Sequence, residues 1–141
     1  LALDSKPRAV FRRLRRALGV TMNMKLKTAK CSASTADTEQ NPVIKWDSFK
    51  LCIEFSDYQD TSWILKFTEV SHFCLHCSDE KIFSNISDDG VYEVVDSELI
   101  KSLIKCGEIE ESDNYNHWLI GFNEIGAFVE VVFNKYEESH T

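Results

Sequence analysis

Apolar and polar positions alternate through residues 117–136, on either side of a break at Asn123-Glu124-Ile125-Gly126. Side chains of a strand point by turns to its two faces. Trp118, Ile120 and Phe122 therefore share one face, and Val129, Val131 and Phe133 share one face of the next segment. Phe128, Glu130 and Val132 fall on the opposite face. Both segments lack Pro and are rich in β-branched and aromatic residues. Asn and Gly at the break accept the positive φ of a tight turn. The pattern predicts a β-hairpin, taken as the centre of a sheet. Upstream, Phe49, Leu51, Ile53 and Phe55 alternate with Lys50, Cys52 and Glu54, and Trp63, Leu65 and Phe67 are in phase within 62–70. Residues 71–77 continue extended, and 91–95 form a further strand.

One segment has the helical period instead. Leu99, Ile100, Leu103 and Ile104 make an apolar stripe over 97–106, with Asp96 or Ser97 as cap and Gly107 as stop. Ile82, Phe83 and Ile86 anchor a loop over 79–89, and 108–116 is an acidic loop. The order β-β-β-loop-β-α-β-β predicts an α+β domain. Its body is a mainly antiparallel sheet, curved into a sandwich or partial barrel, with one short helix packed on it and a basic N-terminal helix in addition. Residues 43–136 are expected to form the β-rich globular domain and 137–141 a tail. Residues 22–42 are small and polar without apolar period, which predicts a disordered linker.

Residues 1–21 place Val10, Phe11, Leu14, Ala17 and Leu18 at helical spacing among Arg12, Arg13, Arg15 and Arg16. Such a basic amphipathic helix suits a membrane surface, a nucleic-acid arm or an organelle presequence. An alternative is a segment that is not natively translated, because Met22 and Met24 are both plausible starts.

Charge divides the chain. Residues 1–30 carry nine Lys/Arg against one Asp, a balance of +8; residues 31–141 carry seven Lys/Arg against 22 Asp/Glu, a balance of −15; together they make the net −7 of the 141-residue chain. A body this acidic repels phosphate backbones, so nucleic acid is not its expected partner. A basic protein is. Hydrophobic residues make up 43% of the chain, enough for a core, and no apolar run reaches the ~20 residues that span a bilayer. The five cysteines are odd in number and show no framework spacing, which predicts reduced thiols and a cytoplasmic home.

Several short motifs occur in a telling order: Trp63-x-Leu65-x-Phe67, then Tyr92-Glu93 and Asp96-Ser97-x-Leu99-Ile100, then His117-Trp118-x-Ile120-x-Phe122-Asn123 with Gly126. In this the chain resembles a family of small uncharacterised bacterial β-rich proteins, over roughly residues 49–134. Trp118 stands where that family more often has Tyr. The resemblance implies no activity. Its small, acidic, β-rich build is similar to that of immunity proteins that neutralise bacterial toxins, an analogy of build.

Two sets of residues are candidates for chemistry. His72, Cys74 and His76 fall on one face of a strand at steps of about 6–7 Å. They could contribute two or three ligands to zinc, which needs four, or three with water. Against this stands the commoner use of such side chains as strand filling. Glu108, Glu110, Glu111 and Asp113 form an acidic stretch with Tyr115 beside it; solvated loop charge is the commoner use of such a stretch, and contact with a basic partner is the alternative. His117 lacks any recognisable nucleophile motif nearby, so it reads as a structural histidine. No phosphate loop or dinucleotide fingerprint occurs. These features point to a non-enzymatic acidic protein-binding domain without a cofactor, possible in an immunity-like role against a basic toxin. The alternative is a small metal-binding or hydrolytic domain built on His72, Cys74 and His76.

Overall fold

The computed structural model describes residues 24–80, 83 and 86–141. The expected helix within 1–21 lies outside them. The described residues form two antiparallel sheets and one short helix. The strands are β1 (Lys25–Thr28), β2 (Val43–Asp47), β3 (Lys50–Ser56), β4 (Ser62–Thr68), β5 (His72–Cys77), β6 (Gly90–Val95), β7 (Asn116–Phe122), β8 (Ala127–Phe133) and β9 (Lys135–His140). The helix, α1, is Glu98–Lys105. One sheet has the order β1-β6-β7-β8-β5 and the other β2-β3-β4-β9. The 117–136 hairpin, β7 and β8, is interior to the larger sheet, with β7 at its centre.

The two sheets close on one apolar core. Leu51, Ile53, Phe55, Trp63, Leu65 and Phe67 enter it from the smaller sheet. Trp118, Ile120, Phe122, Val129, Val131 and Phe133 enter from the larger. Phe67 meets Trp118 and Phe133 edge-on, at ring-centroid distances of 5.7 and 4.9 Å. Such pairs add about 0.5–1.5 kcal/mol beyond the area they bury.

The larger sheet is also covered on its outer face, so β8 is buried along its whole length. Two lids share the work. Leu99 and Leu103 of α1 pack with Ile109 on Val132. Phe83 packs with Val94, Leu119 and Phe128, stacking on Phe128 at 4.6 Å. A Cβ on Gly121 would lie 2.7 Å from the Asp88 carbonyl oxygen, so the second lid sits close only because that strand residue has no side chain.

The ends of α1 are well specified. Ser97 Oγ accepts the Ile100 N–H at 3.1 Å as N-cap, with Glu98 in the first turn and Lys105 in the last. Gly107 takes φ +81, the Glu108 N–H donates to Leu103 O at 2.9 Å, and the Gly107 N–H donates to Ile104 O at 3.1 Å. That is the glycine-terminated helix end its sequence predicts.

Four expectations need correction. The segment 22–42 does not read as a disordered linker where it is described: β1 pairs with β6, and Ala29, Ala33, Thr35 and Thr38 are buried. Its residues are small because they pack close against the sandwich, not because they are solvated. Residues 137–140 of the expected tail belong to β9, which pairs with β4 through His140. The globular unit therefore extends beyond 43–136 at both ends. Finally, Phe49 is not in phase with Leu51: it sits in the turn between β2 and β3 with φ +65 and is 69% exposed.

Candidate functional site

The organising residue is Glu130. It lies on the outer face of β8, in a run of otherwise apolar residues from Phe128 to Val132, and is 0% exposed. Desolvating a carboxylate costs several kcal/mol unless partners are supplied. Two histidines supply them. His76 on β5 pairs with Phe128, one step along from Cys74 opposite Glu130, and its Nε2 lies 2.7 Å from Glu130 Oε1. His117 on β7 is opposite Val132, and its Nε2 lies 2.6 Å from Glu130 Oε2. Sheet register thus brings one imidazole to each carboxylate oxygen from opposite sides.

The chain of contacts continues in both directions. His76 Nδ1 lies 3.3 Å from Glu80 Oε2, which is exposed. His117 Nδ1 lies 2.7 Å from Ser97 Oγ. An ionised Glu130 only accepts, which places a proton on His117 Nε2; Nδ1 of the neutral imidazole is then the acceptor for the Ser97 hydroxyl. The result is a continuous ladder, Glu80–His76–Glu130–His117–Ser97, from the surface through the larger sheet to the start of α1. Burial alone pushes His76 down, but hydrogen bonds to Cys74 and Glu130 and the Glu130 charge outweigh it and raise its pKa from 6.5 to about 9. His76 is therefore a cation at neutral pH and offsets the Glu130 charge.

Beside Ser97 and His117 a cleft of about 310 Å³ opens between α1, the end of β6 and the 109–116 segment. Ser97 and His117 lie at its inner side, and Ile100, Ile104 and Ile109 give it an apolar wall. Glu93, Asp96, Glu110 and Glu111 line it against a single Lys101, a formal balance of −3. Glu93 is bridged to Lys27 at 2.8 Å. Among the described residues Asp96, Glu110 and Glu111 form no ion pair. Tyr115 also lines the cleft; burial, then the charges of Glu69 and Asp113, raise its hydroxyl pKa, so it remains a donor.

The candidate residues sort accordingly. Glu110, Glu111 and Tyr115 come together at the cleft, whereas Glu108 and Asp113 are exposed outside its lining. His72, Cys74 and His76 do share one face, opposite Val132, Glu130 and Phe128 in turn. That face is roofed by the two lids, and both nitrogens of His76 are engaged by carboxylates. Among the described residues no group of three or more His, Cys, Asp and Glu is arranged to hold a metal ion. His117, read as a structural histidine, does bond to the neighbouring strand through Glu130, and it links that carboxylate to Ser97. The signal that could have exposed the ladder was Glu130 itself, a lone charge in an apolar strand.

Among the described residues no helix is long and apolar enough to cross a membrane. No protein-family model, curated protein or solved structure matches the chain.

Proposed function

We propose that the domain binds a basic protein partner by taking a cationic side chain into the cleft beside α1. The observation that carries this reading is the convergence of Asp96, Glu110 and Glu111, without cationic partners among the described residues, over an apolar wall. An aliphatic stem of Lys or Arg packs on such a wall while its charged head meets carboxylates. Tyr115 adds an aromatic edge of the kind that anchors interfaces. All five cysteines are free thiols, which fits a reducing, cytoplasmic setting. Neutralisation of a basic toxin in an immunity-like manner is the specific form of this reading.

The test is nuclear magnetic resonance titration with triarginine at low salt. Shifts should cluster on Ile100, Ile104, Glu110, Glu111 and Tyr115, and weaken as salt screens the charges. The Asp96→Asn/Glu110→Gln/Glu111→Gln variant should lose them. Shifts of equal size in that variant, or none at the cleft in the native protein, defeat the reading.

A further inference from the structure

We infer that Ser97 is an acyl-accepting nucleophile at the inner side of the cleft, activated by His117 and positioned through it by Glu130, and that its substrate class is small uncharged or cationic carboxylic esters. The inference rests on the cleft being a ligand site, as proposed above, but not on the ligand being a protein.

The geometry brings a nucleophile, a base and a positioning carboxylate together at the edge of a cleft. A serine hydroxyl needs a base at hydrogen-bond distance, and His117 Nδ1 is 2.7 Å from Ser97 Oγ. The base needs a third group that fixes its tautomer and orientation, and Glu130 Oε2 is 2.6 Å from Nε2. The two ring nitrogens exchange the roles they have in the familiar serine triad, which is defined by roles and distances. The nucleophile must face a space for substrate, and both Ser97 and His117 line the 310 Å³ cleft. Developing negative charge needs donors. The Ile100 N–H is spent on Ser97 Oγ and the Lys101 N–H on Ser97 O, which leaves the first-turn amides of Glu98 and Leu99, next to Ser97 but outside the cleft's lining. The acidic lining selects against anionic substrates.

The step balances without any co-reactant except water. Ser97 Oγ bonds to the ester carbonyl carbon while its proton passes to His117 Nδ1. The carbon–oxygen bond to the alcohol then breaks, and the alcohol leaves with that proton. Water attacks the acyl-serine and gives a proton to Nδ1; the carboxylic acid leaves and Ser97 regains its hydrogen.

A purely architectural role for the same contacts, with Ser97 as cap and Glu130 as buried counter-charge, predicts identical stability effects but no reactivity. An alkyl fluorophosphonate probe separates the two, since serine attack on phosphorus expels fluoride and leaves a stable adduct. Peptide mapping should find one adduct per chain, on Ser97. Ser97→Asn keeps a capping side chain but has no hydroxyl; it should fold and take up no probe. Glu130→Gln should lower the maximal labelling rate by at least about 100-fold with the half-saturating probe concentration unchanged, an effect a structural role would not produce in folded protein. Absence of an adduct on native Ser97, or equal labelling of Ser97→Asn, overturns the inference. If labelling occurs but triarginine does not bind, the nucleophile stands and the basic-partner reading falls; the reverse result has the reverse meaning.

Discussion

Replacing Glu130 by Gln removes the charge that holds His76 protonated, and the consequence should depend on pH in a defined direction. In the native protein the His76 pKa is raised from 6.5 to about 9. Its stabilising contribution is therefore fully present below the unfolded value, and is lost as pH rises through the folded value. At about 1.36 kcal/mol per pH unit, the full contribution is roughly 3 kcal/mol, of which about 2 kcal/mol should disappear between pH 6 and 8.5. Glu130→Gln should be less stable than the native protein by about 3 kcal/mol at pH 6, within the range for breaking a buried pair. The gap should narrow as pH rises, because the native protein loses what the variant already lacks. Urea unfolding at pH 6, 7.5 and 8.5 measures this through the midpoint, with the slope checked for constancy. A gap independent of pH would mean that His76 is neutral in the native ladder. A native protein more stable at pH 8.5 than at pH 6 would refute the sign of the argument.

Two further substitutions test the surrounding frame. Gly121→Ala puts a methyl group 2.7 Å from Asp88 O and 2.8 Å from Phe128 Cε1, so the Phe83 lid must shift; thermal unfolding should show a loss of about 1–3 kcal/mol. Phe49→Gly relieves a left-handed conformation at φ +65 in a two-residue turn whose second position favours Gly. Its loose edge contact with Trp46, at 6.3 Å, offsets little, and the urea midpoint should rise by an amount equivalent to about 0.5–1 kcal/mol.

What could be read from the sequence follows from which strands carry an apolar signal. β3, β4, β7 and β8 alternate or run apolar because they face the shared core, and α1 announces itself through Ser97, its leucine stripe and Gly107. β2 and β9 are edge strands of the smaller sheet, and β1 is an edge of the larger. The exposed positions of β1 and β9 are polar, so Lys25–Thr28 and Lys135–His140 carry no strong period although they are paired. The site was legible in part. The common face of His72, Cys74 and His76 follows from strand period alone, and Glu110, Glu111 and Tyr115 are close in sequence. The contact of His117 with Glu130 depends on the β7–β8 register, and its contact with Ser97 on the turn into α1, where Asp96 takes φ +50. No local pattern encodes either.

The cleft and the buried ladder have one geometric origin. Five strands at about 4.8 Å spacing make a face roughly 19 Å wide, whereas eight helical residues extend only about 12 Å. α1 alone cannot roof the larger sheet. The Phe83 segment covers a second part, on Leu119 and Phe128, while α1 covers Val132. Glu130 lies between these two clusters along β8, one residue pair from each, and there a charged side chain can be buried only if neighbouring strands bring it partners. β5 and β7 do so through His76 and His117. The Phe83 lid reaches β6 at Val94, and between the end of β6, α1 and the 109–116 segment the cleft opens beside Ser97 and His117. A carboxylate held within the sheet and an open space at its margin are thus joined through His117 by the shortness of a single helix.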